Sequence, residues 1–498
     1  MSITPASHID LIRKINIGCL LAAIAIILVL PLKKQIWYDE TISILCAHGI
    51  SHNTPWELAN TNTLTSDTLS ALNTAPNVFK ATVYDNANSY LYNITLHYWA
   101  MAFGNTLTVY MLLSKLCAIV ALLAFFTLCR QFFGNSPFTA IAILLLLTDN
   151  NFTGMSHEVR AYAMGIMFVT MAAVPLCRYL FAEEKARYLL LTSLFSVAAI
   201  LSHFLTVYII FVFVAGLVIL KWRTIITPRK ILYILLPLSA LALFFALAYP
   251  GLQVMARQNH DIQKRLSSVP FSLGEVVLRS VRFTEINFKI VFPAFAGSIL
   301  VIIASLILLK ALYIYGYIAA RSRTERQKLI ILTALGAGST IFLAVLSIKA
   351  HHYTSLYNRY YSFCVPFCSL ATAYILYLLF KNSTKSSLAR RTFLARRSFS
   401  VGGSAGGAVI VIPSVMLCIL FNRTTKAPQS YNHPEVARTI TTSAATSVSV
   451  PNWKEALLVH CFLPAHTSLQ YIRDTSNPNF TITTPGATPL TIPVIRHD

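Results

Sequence analysis

Carboxylates are scarce in this chain: 18 Asp and Glu stand among 498 residues, against 40 Lys and Arg. Charged residues of both signs make up only 12%, about half the share of a soluble globular domain. That shortage excludes an ordinary water-soluble enzyme. The formal net charge of +22 does not indicate nucleic acid, because the basic residues never gather on one polar segment. They fall in short clusters, Arg13-Lys14, Lys185 with Arg187, Lys221 to Lys230, Arg321 to Lys328 and Lys381 to Arg397, each between two apolar runs. Metal-ribbon and nucleotide signatures are missing too. Most of the nine cysteines lie in or beside apolar runs, where Cys acts as a small hydrophobe. Cys364 and Cys368 have helical spacing, but two thiols do not make a zinc site. "VGGSAGGAVIVIP", residues 401 to 413, lacks the Lys-Ser/Thr of a P-loop and reads as close helix packing. His157-Glu158 opens like a zincin motif, yet Ala161 occupies the place of its second His.

What the chain has in abundance is apolar length. Hydrophobic residues make up 56%, in runs approaching the ~20 residues that cross ~30 Å of hydrocarbon. About eleven such runs exclude a single cleaved leader as their explanation. The spacing predicts spans near 15–32, 108–129, 137–150, 160–181, 188–203, 205–221, 231–249, 287–312, 329–348, 361–380 and 404–421. With the amino terminus inside, the basic connectors alternate onto the inner side, as the positive-inside rule requires. Residues 33–107, 150–159, 250–286, 349–360 and 422–498 then lie outside. The expected fold is an all-α polytopic membrane protein of about eleven transmembrane helices, with a long outer first loop carrying juxtamembrane helices. A transmembrane domain, 1–421, is followed by a small outer segment, 422–498, expected to hold one short helix and a strand. "LYNITLHYWAMAFG", residues 91 to 104, is aromatic and too short to cross, so it is expected to lie at the interface. Cys46 and Cys461 both fall outside, their pairing open.

Scarcity makes each acid informative. Asp10, Glu183, Glu184 and Glu325 belong to inner segments beside basic partners. Asp39, Glu40, Asp85, Asp149 and Glu158 fall at the outer membrane boundary or in the first outer loop. The run from Pro137 to Thr148 has 12 residues, about 18 Å of helix. Asp149 is therefore expected to open a polar cavity below the outer surface, the competing reading being a cap on the next helix. Glu158 and Arg160 are two apart and do not face each other on a helix. Each is expected to seek a partner elsewhere, such as the Asp39-Glu40 segment.

In order along the chain, "WYDETISI", "YDNANSYLYNITLHYWAMAFGN", "SHEVRAYAM", "LSHFLTVY" and "YNRYYSFCVPF" resemble the motifs of the glycosyltransferase-C superfamily. The similarity is to the branch of protein O-mannosyltransferases and the lipid A aminoarabinose transferase, and it covers residues 1 to about 421. "DNANSYLY" stands where relatives carry Pro-Pro-Leu or a Lys, which leaves the donor and acceptor open. The resemblance implies transfer of a sugar from a polyprenyl-phosphate donor to a hydroxyl on a glycan, lipid or protein. It places that reaction at the outer face of a bacterial inner (plasma) membrane, with the lipid bilayer and no nucleic acid as further partner.

The chemistry maps onto named residues. An attacking hydroxyl must lose its proton to a carboxylate within reach, and a carboxylate in a partly dry cavity is a stronger base than one in water. Asp39 is the expected base, with Glu40 orienting the segment or acceptor and Glu158 as third catalytic acid. The leaving phosphate needs fixed cations, for which Arg160 and Arg359 are the candidates. Arg257, Lys264, Arg265, Arg279 and Arg282 read as a solvated or headgroup-binding face. Tyr38, Asp85 and His203 complete the substrate-binding set, Tyr38 with Trp37, Tyr90 and Trp99 as stacking or interfacial aromatics. No cofactor is required; a divalent metal shared by Asp39 and Glu158 is the alternative. The rival function is a transporter or flippase of lipid-linked sugars, against which stands the lack of a broken-helix repeat.

Overall fold

The computed structural model describes residues 5–29, 36–51, 63–65, 72–84, 88–266, 314–339 and 358–383. In the tail it describes 430–431, 433–443, 445–450, 459, 461–463, 469–473, 479–484 and 489–492. Helix α1 (Pro5–Val29) leads to β1 (Ile36–Trp37) and α2 (Tyr38–Ala47), then α3 (Ala75–Tyr84) and α4 (Tyr90–Phe103). α5 (Leu107–Phe133), α6 (Phe138–Leu147), α7 (Asn150–Met155), α8 (Tyr162–Phe181) and α9 (Ala186–Ser202) follow. Among the described residues α10 (Val207–Ile225), α11 (Pro228–Leu266), α12 (Arg323–Thr333) and α13 (Val365–Ser383) come next.

Six described helical segments are long and apolar enough to cross a membrane: Ile9–Val29, Leu107–Phe133, Tyr162–Phe181, Phe204–Ile225, Pro228–Ala246 and Tyr360–Lys381. α6 and α9 are apolar but shorter. On α5, Leu112, Leu116, Val120 and Leu123 are exposed, while Ala118, Leu122, Phe125 and Cys129 are buried. That is one apolar stripe toward lipid and another toward the core. α5 starts at Thr106, whose Oγ1 accepts from Val109 N, and ends at Gly134 with φ 61°. A left-handed turn of that kind favours glycine, and it folds α6 back beside α5. Lys115, unremarked in the sequence, is 2% exposed on α5. Its Nζ donates to the Leu28 carbonyl at 2.9 Å, a cation on the last turn of α1 where carbonyls lack partners.

The expected spans between 15 and 249 and at 361–380 coincide with helices. The expected juxtamembrane helix is α4, with Tyr98, Met101 and Phe103 exposed. Two differences stand out. α11 continues unbroken for 39 residues, about 58 Å of helix, so 250–266 is helical rather than loop. The chain is also not all-α. β2 (Thr63–Thr65) of the first loop joins four tail strands, β4 (Ser447–Val450), β5 (Gln470–Arg473), β6 (Phe480–Thr483) and β7 (Leu490–Ile492), in the order β2-β5-β4-β6-β7. β1 pairs with β3 (Ser430–Tyr431). The tail is more than one helix and one strand because "SVSV" and "FTIT" alternate polar and apolar residues, a two-residue period that buries one face. Val448, Phe480 and Ile482, with Val436 and Ile440 of α14 (His433–Ser443), pack in one cluster with Ile44 of α2 and Leu96 of α4. The expected spans 287–312 and 404–421, and most of loops 250–286 and 349–360, lie outside the described residues.

Helix packing is tight at Gly165 on α8. A Cβ there would stand 2.5 Å from the Phe363 ring, which is itself buried and packed on Tyr162 and His203. Gly165→Ala is expected to cost about 1–3 kcal/mol by overpacking. The thermal midpoint of the detergent-solubilised protein measures it; an unchanged midpoint would mean that the Phe363 ring yields freely.

Candidate active site

The "WYDE" stretch begins α2, with Asp39 and Glu40 in its first turn. Acids are favourable there, because they face unsatisfied N–H groups and the positive end of the helix dipole. The second element is the connection between α7 and α8, residues 156–161. It is positioned by Ser114 of α5, whose Oγ donates to the Glu158 carbonyl at 2.5 Å.

These two stretches meet. Glu40 is fully buried, and its Oε1 accepts from Val159 N at 2.8 Å across 119 positions of sequence. Arg160 Nη1 donates to the Asp39 carbonyl at 2.8 Å and to Ser43 Oγ at 3.4 Å. Its Nη2 lies 3.9 Å from Asp39 Oδ2, each side chain 19% exposed. The guanidinium also sits over the Tyr162 ring, 5.7 Å from its centre. Burial disfavours its charge, but Tyr162 and Asp39 more than offset that, and its pKa lies above the usual arginine value. Tyr92 of α4 is wholly buried near Glu40 and Arg160, and burial pushes its phenol well above the usual range. It stays neutral. The Asp39 carboxylate is thus partly open, beside a permanent cation, on a turn held by Val159 and Arg160.

The structure brings Asp39, Glu40, Glu158 and Arg160 to one corner, Glu158 half-buried and next in sequence to the pinned Val159. It treats the other expected residues differently. Asp149 is 3% exposed and caps α7, its Oδ1 accepting from Asn151 N at 2.7 Å; of the two readings of that acid, the cap is the observed one. His203 is enclosed, 2% exposed, with its ring against Tyr162, Phe363 and Phe204. Its Nδ1 accepts from Leu205 N at 3.3 Å, so it works as a helix cap and packing residue. Tyr38 lies in α2 and Arg359 in the 3-10 turn Asn358–Cys364 by backbone; their side chains, and all of Asp85, are outside the described residues. Among the described residues no group of three or more His, Cys, Asp or Glu is placed to hold a metal ion.

No family model and no curated protein matches the chain. Solved structures similar in fold do match. One of them is the crystal structure of ArnT from Cupriavidus metallidurans bound to undecaprenyl phosphate, with a TM-score of 0.39 and 11% identity. The match covers 92% of this chain and 75% of that one.

Several residues of this corner carry no obvious mark in the sequence. Ser43 stands four residues after Asp39, hence on the same face of α2, a spacing that was open to reading. Asn88 was not: its Oδ1 accepts from Phe204 N at 3.2 Å, tying the first loop to the α9–α10 turn. Nor was the seam that seats the tail. Tyr110 donates its hydroxyl to the Cys461 carbonyl at 3.2 Å and takes a bond from His48 Nε2 at 2.8 Å. No disulfide joins Cys46 to Cys461.

Proposed function

We propose that the chain is an integral-membrane glycosyltransferase, moving a sugar from a polyprenyl-phosphate donor to a hydroxyl acceptor at the outer face of the membrane. The observation that carries this reading is the Asp39–Arg160 arrangement: a partly exposed carboxylate, held by its own backbone, beside a fixed cation. The ordered motifs of the sequence supply the reaction class.

In this reading Asp39 accepts the proton of the acceptor hydroxyl as its oxygen forms a bond to the anomeric carbon. The bond from that carbon to the phosphate oxygen breaks, and the polyprenyl phosphate leaves with the electron pair as an anion. Arg160 is a positioning residue that aims Asp39 and lends positive potential where the phosphate charge develops. Glu40 fixes the 156–161 connection by its bond to Val159. Arg359 is the further candidate for the leaving phosphate. Glu158 with Asp39 remains the pair that would hold a divalent metal, and no step here depends on one.

The test is chemical. A strain lacking this protein should lose one sugar from its envelope glycans, lipids or glycoproteins by mass spectrometry. Purified protein should restore the transfer from a lipid-linked donor. An unchanged glycan profile, together with transport of the intact donor by reconstituted protein, would replace this reading with the flippase one.

A further inference from the structure

We propose that the end of the helix bundle away from Asp39 holds an anionic glycerophospholipid, its acyl chain in a groove of α5, α8 and α9 and its phosphate between Arg178 and Lys328. Two spaces meet there. The first is an apolar groove of about 330 Å³, lined among others by Val120, Leu123, Met171, Pro175, Leu191 and Phe195. The second is a cavity of about 250 Å³ lined by Gln131, Phe132, Cys177, Phe181, Glu183 and Lys328. Arg178 and Tyr188 line both, so the apolar groove and the polar cavity adjoin at these two side chains.

The dimensions suit a lipid. From Val120 to Gln131, α5 rises about 16 Å, roughly half of the ~30 Å hydrocarbon thickness, the depth of one leaflet. Val120, Leu123 and Leu191 are exposed along the groove, leaving it open to the side from which a lipid would enter.

The charge suits an anion. Arg178 is exposed and makes no ion pair among the described residues. Its guanidinium lies 6.0 Å from the centre of the Tyr188 ring, and Arg187 lies 5.0 Å from the same ring. Lys328 Nζ rests over Phe132 and Phe181 at 5.2 and 5.7 Å, likewise with no carboxylate within ion-pair distance among the described residues. Glu183, the acid among the residues lining that cavity, is paired with Lys185 at 2.6 Å, and Glu325 with Lys381 at 2.6 Å. Two cations held against aromatic rings, neither of them in an ion pair among the described residues, are a phosphate's complement. Gln131 narrows the headgroup. Its Nε2 donates to the Val174 carbonyl at 3.2 Å, while its Oε1 is buried without a hydrogen-bond partner. An acceptor left over beside a phosphate site fits a headgroup that carries hydroxyls, as a glycerol headgroup does.

The full-length protein in detergent would be titrated with phosphatidylglycerol, phosphatidylcholine and glycerol 3-phosphate, with bound lipid read by native mass spectrometry. Phosphatidylglycerol is expected to bind at least about 10-fold more tightly than phosphatidylcholine: both offer the phosphate, but the choline ammonium of the latter would stand against Arg178 and Lys328, a like-charge cost of which about 1.4 kcal/mol is tenfold in affinity. Arg178→Gln with Lys328→Gln should erase the preference, and Leu123→Trp, which fills the groove, should weaken lipid binding without needing either cation. Equal affinity for the two lipids would overturn the proposal. So would glycerol 3-phosphate competing as well as the lipid, which would make this a free-anion site. If the double variant fails to fold, Leu123→Trp decides alone: unchanged phosphatidylglycerol binding rejects the groove.

Discussion

Asp39→Asn is expected to stop sugar transfer while leaving the protein folded. General-base catalysis contributes about 10²–10⁴-fold in rate, and an amide of the same size cannot take the proton. The structural cost is small. The ion pair to Arg160 is long, 3.9 Å, and partly open, a geometry worth at most about 1 kcal/mol. The stronger contact of that guanidinium is with the Asp39 carbonyl at 2.8 Å, which the substitution leaves in place. Transfer from a lipid-linked donor, measured beside the thermal midpoint, separates the two effects. A variant that melts normally and still delivers wild-type product would remove Asp39 from the chemistry. One that melts early would make it a structural residue instead.

Much of the corner was legible because acids are so rare in this chain that their positions stand out. "WYDE" and "SHEVR" each sit where a polar stretch interrupts apolar sequence, and the failure of Glu158 and Arg160 to face each other pointed toward Asp39 and Glu40. The structure joins those segments, but through different atoms than side-chain pairing suggests. Glu40 binds a backbone amide, and Arg160 holds a backbone carbonyl. Backbone partners leave no trace in residue identity. For the same reason the buried Lys115, bonded to the Leu28 carbonyl, passed unnoticed in an apolar run. The six long apolar helices among the described residues were legible from length and composition. The tail sheet was not, because its strands are three or four residues long and the first loop supplies one of them from about 400 positions away. Asp149 caps a helix where a cavity was expected, because a short helix before an acid is equally the signature of both.

Glu40 should behave in the opposite way to Asp39. It is fully buried, and its Oε1 accepts from Val159 N, also buried, at 2.8 Å. Glu40→Ala removes the acceptor and leaves an amide without that partner, a loss of about 1–3 kcal/mol, to which the vacated volume adds. The lost contact is also what holds residues 156–161 against α2, so Arg160 should lose its aim at Asp39, and transfer should fall with stability. Glu40→Gln keeps a carbonyl oxygen in the same place and is expected to retain both the fold and most of the transfer. The pair of variants therefore distinguishes a pin from a base. Were Glu40 the proton acceptor, the glutamine variant would melt like wild type and transfer nothing, and the roles of the two neighbouring acids would have to be exchanged. With Glu40 as the pin, a plot of transfer against midpoint places the glutamine variant near wild type, the alanine variant low on both axes, and Asp39→Asn low on transfer alone.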